Sequence, residues 1–125
     1  MNPPKVFVSY ESSDQALADE IFRTLRSIPV VVWSADQLGM DESWSEVHRS
    51  RIRECDYFVL LVTPNTRGSW WVLQELGAAW VLGKRIVPVV TDRRLLKRLP
   101  VDLSDAQTIT TGELDQLEDV LQPAA

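Results

Sequence analysis

Disulfide and metal chemistry are the first things this sequence lacks. Cys55 is its only cysteine and His48 its only histidine. No intramolecular disulfide can form, no metal centre is expected, and a reducing cytoplasmic setting fits best. Long apolar runs are missing too. The longest, Tyr57 to Val62, falls far short of the roughly 20 residues that a bilayer-spanning helix needs, and Met1-Asn2-Pro3-Pro4-Lys5 has no basic-then-apolar signal peptide. Positive charge is in deficit: 13 Lys and Arg face 18 Asp and Glu, for a net charge of −5. Binding to nucleic acid through its phosphates, or to an anionic membrane surface, is therefore not expected. The one basic cluster, Arg93-Arg94 with Lys97-Arg98, reads as a solvated loop or short helical face. Glycine-rich phosphate loops are absent as well, with no G-x-G-x-x-G after the first strand and no P-loop.

What is present is an ordinary globular composition, 45 % hydrophobic and 25 % charged over 125 residues, enough for one domain with one core. Val6-Phe7-Val8 reads as a strand buried on both faces. Ser12 with Gln15 is a capping-box pattern, and Leu17, Ala18, Ile21, Phe22 and Leu25 mark a first helix that stops before Pro29. Val30 to Trp33 is a second strand, followed by a polar loop, Ser34 to Glu42. Ser43 and Glu46 open a second helix through Trp44, Val47 and Ile52, with Cys55 as a small core residue at its end. The lone His48 on that helix has no nucleophile partner in sequence and is expected at the surface. Tyr57 to Val62 is the third strand, and Thr63-Pro64-Asn65-Thr66-Arg67-Gly68 a turn-rich loop. Arg85 to Thr91 is a fourth strand, in which Pro88 removes a ladder donor and argues for an edge position or a late start. Leu95, Leu96 and Leu99 suggest a short helix before Pro100, and Ala106 to Thr110 a short fifth strand. Thr110 and Glu113 cap a final helix with Leu114, Leu117, Val120 and Leu121 on its face. Pro123-Ala124-Ala125 reads either as an end or as the start of a linker to a further domain.

Between the third and fourth strands, Ser69 to Gly83 carries both helix signals, Ser69 as N-cap and Gly83 just past the end. Glu75 stands one turn above Trp71, with apolar Leu76, Ala79 and Trp80 around it. Such a carboxylate is either a solvated outlier or a site. Trp80 is expected in the core, and Trp70 either at the helix entry or at a subunit interface.

Alternating strands and helices with apolar strands predict an α/β fold: a flavodoxin-like, doubly wound, five-stranded parallel sheet of order 2-1-3-4-5 with helices on both faces. In that order ligands sit beyond the carboxyl ends of strands one and three, where the winding reverses. The loops there are Ser9 to Ser13 and Thr63 to Ser69, which bring the Trp71/Glu75 helix to the rim of the crevice. A response-regulator receiver would place a phosphoacceptor Asp at the end of strand three, where Thr63-Pro64 stands.

Several boxes then carry a resemblance. Lys5-Val6-Phe7-Val8-Ser9-Tyr10 followed by Ser13-Asp14 resembles the first box of Toll/interleukin-1 receptor (TIR) domains. Asp36-x-Leu38-Gly39 with Trp44 is similar to the family's loop between strand two and helix two. Asp56 to Asn65, then Ser69-Trp70-Trp71 and Glu75-Leu76, resembles the family's third strand, loop and catalytic helix, and the helix's tail looks like prokaryotic members. The likeness runs from Lys5 to about Asp92, beyond which the late Phe-Trp box of the receptors is not visible. Glu11 stands where active animal relatives tend to carry a basic residue.

The resemblance implies one TIR domain over residues 1–125 that hydrolyses or cyclises NAD⁺ at its nicotinamide glycosidic bond, with NAD⁺ as substrate and no cofactor. Glu75 matches the essential glutamate and Trp71 the aromatic residue near the substrate. Ser9, Tyr10, Asp36, Leu38 and Trp44 complete the expected substrate-binding set. Other TIR domains are the expected partners, in an oligomer or filament formed on activation, and immune-type or antiviral signalling is the implied setting. The alternative is a scaffold that acts only through homotypic contacts. Ordinary glycosidases need two carboxylates, one to protonate the leaving oxygen. Nicotinamide leaves from an already cationic pyridinium, so one carboxylate facing the developing positive ribose can suffice.

Overall fold

Strand β1 (Lys5–Ser9) sits between β2 (Val31–Ser34) and β3 (Tyr57–Val62) in a computed structural model that describes residues 2–34 and 42–122. β4 (Arg85–Val90) and the two-residue β5 (Ile109–Thr110) follow on the far side of β3. All pairings are parallel and the order is β2-β1-β3-β4-β5, as the alternation of apolar strands and helices predicts.

Period-two alternation along the strands builds two separate cores. Val6, Val8 and Tyr10 point to one face, with Tyr57, Val59 and Leu61 of β3, and are covered by helix α1 (Gln15–Arg26) through Ala18, Ile21 and Leu25, and by Leu117 and Leu121. Phe7, Phe58, Leu60 and Val62 point to the other face, under α2 (Glu42–Glu54) and α3 (Trp70–Val81), which contribute Ile52, Val72, Leu76 and Ala79. All six β3 residues are buried. A fully buried side chain of this kind contributes about 1.5–3 kcal/mol.

Pro88 lies in an interior strand, opposite Leu60 of β3, but β5 pairs only with Val89 and Val90, so the proline precedes the β4–β5 ladder. The Ser12 capping box does not form. Glu11 is the cap, its carboxylate accepting from the Ser13 N–H at 2.7 Å, of a 3₁₀ turn, Ser12–Asp14, that leads into α1. The segment after Asp92 winds as a 3₁₀ helix, Arg93–Arg98, with its basic residues exposed. The final helix shrinks to one α turn, α4 (Leu117–Val120), behind a 3₁₀ stretch, Thr111–Gln116. Glu113 leaves helical geometry there, its carboxylate accepting from the Thr110 hydroxyl at 2.6 Å and the Gln116 amide at 3.1 Å.

Candidate active site

Helix α3 is defined at both ends by its own sequence. Ser69 is extended and its hydroxyl accepts from the Val72 N–H at 3.4 Å, while Gly83 adopts φ +70° just beyond the last turn. Between them Val72, Glu75, Leu76 and Ala79 form the buried face. Glu75 is the only charged residue of the helix and it is turned inward, 4 % exposed. A buried carboxylate is costly unless donors meet it. The Ser9 hydroxyl at the end of β1 donates to Oε1 at 2.7 Å, and the other oxygen, Oε2, meets Nε2 of His48 from α2. Strand β1 and helices α2 and α3 therefore converge on one carboxylate.

His48 is buried, not on the surface as its isolation in sequence suggests. The helical spacing explains why: His48 lies four residues before Ile52 and seven before Cys55, both core residues, so the three share one face. Val47, expected on that face, is 39 % exposed. The His48 ring is held edge-on to Phe7, with centroids 5.0 Å apart, and tilted against Trp71 at 5.3 Å. A cavity of about 310 Å³ opens over this cluster, lined by His48, Arg49, Ile52, Trp71, Gln74, Glu75 and Ala78. It lies between α2 and α3, beside the Glu75 carboxylate that the Ser9 hydroxyl at the end of β1 reaches. A hollow of about 420 Å³ at the amino ends of β3 and β4, around Tyr57, Trp80 and Lys84, has no buried carboxylate.

The expected site residues divide accordingly. Ser9, Trp71 and Glu75 come together. Tyr10 does not join them: being next to Ser9 it points to the opposite face, where its ring packs edge-on against Phe22 and its hydroxyl donates to Gln15 at 3.0 Å. Asp36, Leu38 and the side chain of Trp44 lie outside the described residues. Trp80, expected in the core, is 52 % exposed, because the inward face of α3 is taken by Leu76 and Ala79. Trp70 is 71 % exposed and stands edge-on to Trp71. Among the described residues no group of three or more His, Cys, Asp or Glu is arranged to hold a metal ion, and no helix is long and apolar enough to cross a membrane.

A second polar cluster ties the crevice together. The Asp14 carboxylate, 8 % exposed, accepts from the Thr63 hydroxyl at 2.6 Å and the Asn65 amide at 2.8 Å. Thr63 Oγ1 accepts in turn from the Asn65 N–H, and Thr66 Oγ1 accepts from the Thr63 N–H. The loop after β1 is thereby clasped to the loop that starts α3. The sequence carries the signal for Asp14 only as part of the Ser13-Asp14 box, without its partners.

A 2-1-3-4-5 parallel sheet with helices on both faces makes this a doubly wound α/β domain, with a buried carboxylate held at the end of β1. The family model of the TIR domain matches residues 6–121, and the chain belongs to that family. The match extends past Asp92, where the resemblance of individual boxes ends. No curated protein matches the sequence significantly. Among solved structures, the chain is similar to the CMP N-glycosidase BcmB of Clostridium botulinum, with a TM-score of 0.64 at 17 % identity over 91 % of this chain and 98 % of that one. It is also similar to a 2-desoxiribosyltransferase from Leishmania mexicana, with a TM-score of 0.58 at 18 % identity over 72 % and 66 % of the two chains. A de novo designed Rossmann 2x3 protein shares the fold at 13 % identity and a TM-score of 0.56 over 100 % and 96 %. At these identities the likeness is one of fold.

Proposed function

We propose that this TIR domain cleaves the nicotinamide N-glycosidic bond of NAD⁺, with Glu75 as the catalytic carboxylate. The observation that carries the reading is the burial of Glu75 between the Ser9 hydroxyl and His48, on the wall of a cavity it shares with Trp71. Two proteins of similar fold are named as an N-glycosidase and a desoxiribosyltransferase, which supports chemistry at a base–sugar bond. The C–N bond breaks with its electron pair passing to the pyridinium nitrogen, so nicotinamide departs neutral without a general acid. Positive charge then develops on the ribose. A carboxylate buried beside Trp71, Ile52 and Ala78 stabilises it more than the same group would in water. Attack by water gives ADP-ribose; attack by a group of the substrate itself gives a cyclic product. Trp71 offers an aromatic face to the flat ring or the cation, and Arg49 on the cavity wall suits the pyrophosphate.

Activation by self-assembly belongs to the same proposal, as does a cytoplasmic place in immune-type or antiviral signalling. TIR domains commonly self-associate, and α3 and its end expose Trp70, Trp80, Val81 and Leu82. Contiguous exposed apolar patches mark association surfaces, and Trp80, Val81 and Leu82 are consecutive. The same observation favours the second reading, a scaffold that assembles without turning over NAD⁺. Concentrated or crowded protein incubated with NAD⁺ separates the two by nicotinamide release. The wild type should exceed Glu75→Gln by about 100-fold, the scale of losing one preorganised electrostatic group. Assembled wild type no faster than Glu75→Gln rejects the enzyme and leaves the scaffold.

A further inference from the structure

The catalytic reading above needs only Glu75, yet the structure places the chain's one histidine against the carboxylate's second oxygen. We propose that His48 is a positioning residue for Glu75, donating from Nε2 to Oε2 while the Ser9 hydroxyl donates to Oε1, so that the carboxylate plane is set from two sides before substrate enters.

The geometry supports this in three ways. A free glutamate side chain has several rotatable bonds, and each conformer it must abandon on reaching the transition state costs free energy. The Ser9 hydroxyl from β1 and the His48 contact from α2 remove that freedom in advance. The imidazole is itself fixed, between the Phe7 ring at 5.0 Å and the Trp71 ring at 5.3 Å, both centroid distances. Its position is therefore set by packing and not by the carboxylate alone. Finally, a carboxylate offers about four acceptor directions. Ser9 takes one and, on this proposal, His48 a second, which leaves two for ribose hydroxyls or the developing cation. With the Glu75 carboxylate as acceptor, the proposal requires the ring proton on Nε2.

Because His48 is the only histidine, its ring nitrogens give a single set of signals in a nitrogen-15 NMR spectrum, without assignment by mutagenesis. In the pH range where its spectrum shows a single proton on the ring, that proton should lie on Nε2, and Glu75→Ala should displace the signal. Kinetics supply the second readout. His48→Phe keeps an aromatic ring between Phe7 and Trp71 but donates nothing; it should lower kcat about 100-fold while KM changes less than about 3-fold. His48→Gln, whose side-chain amide donates from nearly the same place, should restore kcat to within about 5-fold of wild type.

An Nδ1–H tautomer, a His48→Phe variant with full kcat, or an effect confined to KM would overturn the assignment. The inference rests on the NAD⁺ reading for its kinetic arm only. Absence of nicotinamide release from the wild type would remove that reading, and the imidazole signal would still decide, by its tautomer and its response to Glu75→Ala, whether His48 holds Glu75.

Discussion

Replacing Asp14 tests whether the crevice is held together by the loop clasp. Its carboxylate is nearly buried and accepts two hydrogen bonds, from the Thr63 hydroxyl at 2.6 Å and the Asn65 amide at 2.8 Å. A hydrogen bond to a charged group contributes about 1.5–3 kcal/mol, and a buried donor left without a partner carries its own desolvation cost. Thr63 is 3 % exposed, so water does not readily replace the lost acceptor. Asp14→Ala should therefore cost about 3–5 kcal/mol, a large share of the roughly 5–15 kcal/mol that holds a domain folded. For a domain of this size that corresponds to a fall in Tm of about 10–20 °C. Asp14→Asn keeps one acceptor and gains a donor that Thr63 Oγ1 can receive, which limits its loss to about 1–2 kcal/mol. Urea unfolding of Asp14→Ala, Thr63→Val and the double variant gives the coupling directly, expected at about 1.5 kcal/mol or more. An Asp14→Ala protein within about 1 kcal/mol of wild type, or single losses that simply add, would refute the clasp as a stabilising element.

Two further outcomes follow from local geometry. Gly83 has φ +70° and an added Cβ would meet nothing within 4 Å, so Gly83→Ala should lose about 1–2 kcal/mol from backbone strain alone; Gly83→Asn, better suited to that conformation, should lose less, and unchanged urea midpoints for both would refute the αL cap. Burial pushes the Cys55 thiol up to about 11 from 9.0. At about pH 8 only about one thiol in a thousand is then thiolate, so native protein should react with a disulfide reagent far more slowly than urea-unfolded protein. The sign for stability follows. The folded state holds this proton more tightly than the unfolded chain, so the contribution is intact below about pH 9 and is lost as pH rises toward 11. Equal labelling rates for folded and unfolded protein would contradict the burial.

Features that depend on residues close along the chain and on rules of connection were legible from the residues alone. Apolar strands alternating with capped helices were enough for the parallel sheet, because crossovers have one hand and loops are short. Ser69 and Gly83 bounded α3 because a helix's end groups are satisfied by immediate neighbours. Order 2-1-3-4-5 then set the loop that opens the Trp71/Glu75 helix at the carboxyl end of β3.

Which way each side chain turns depends on packing across the whole folded chain. Ser9 and Tyr10 are adjacent, and alternation requires opposite faces, but which face carries α3 depends on packing across the whole sheet. The Ser9–Glu75 hydrogen bond joins residues 66 apart in sequence. His48 was indistinguishable from a surface histidine until α2 was rotated by burial of Ile52 against the sheet. Trp80 shows the converse: its size argues for the core, yet Leu76 and Ala79 occupy the inward face of its helix. Local signals act over one or two turns of chain, whereas burial of a polar or aromatic group is set by partners that only folding brings within reach.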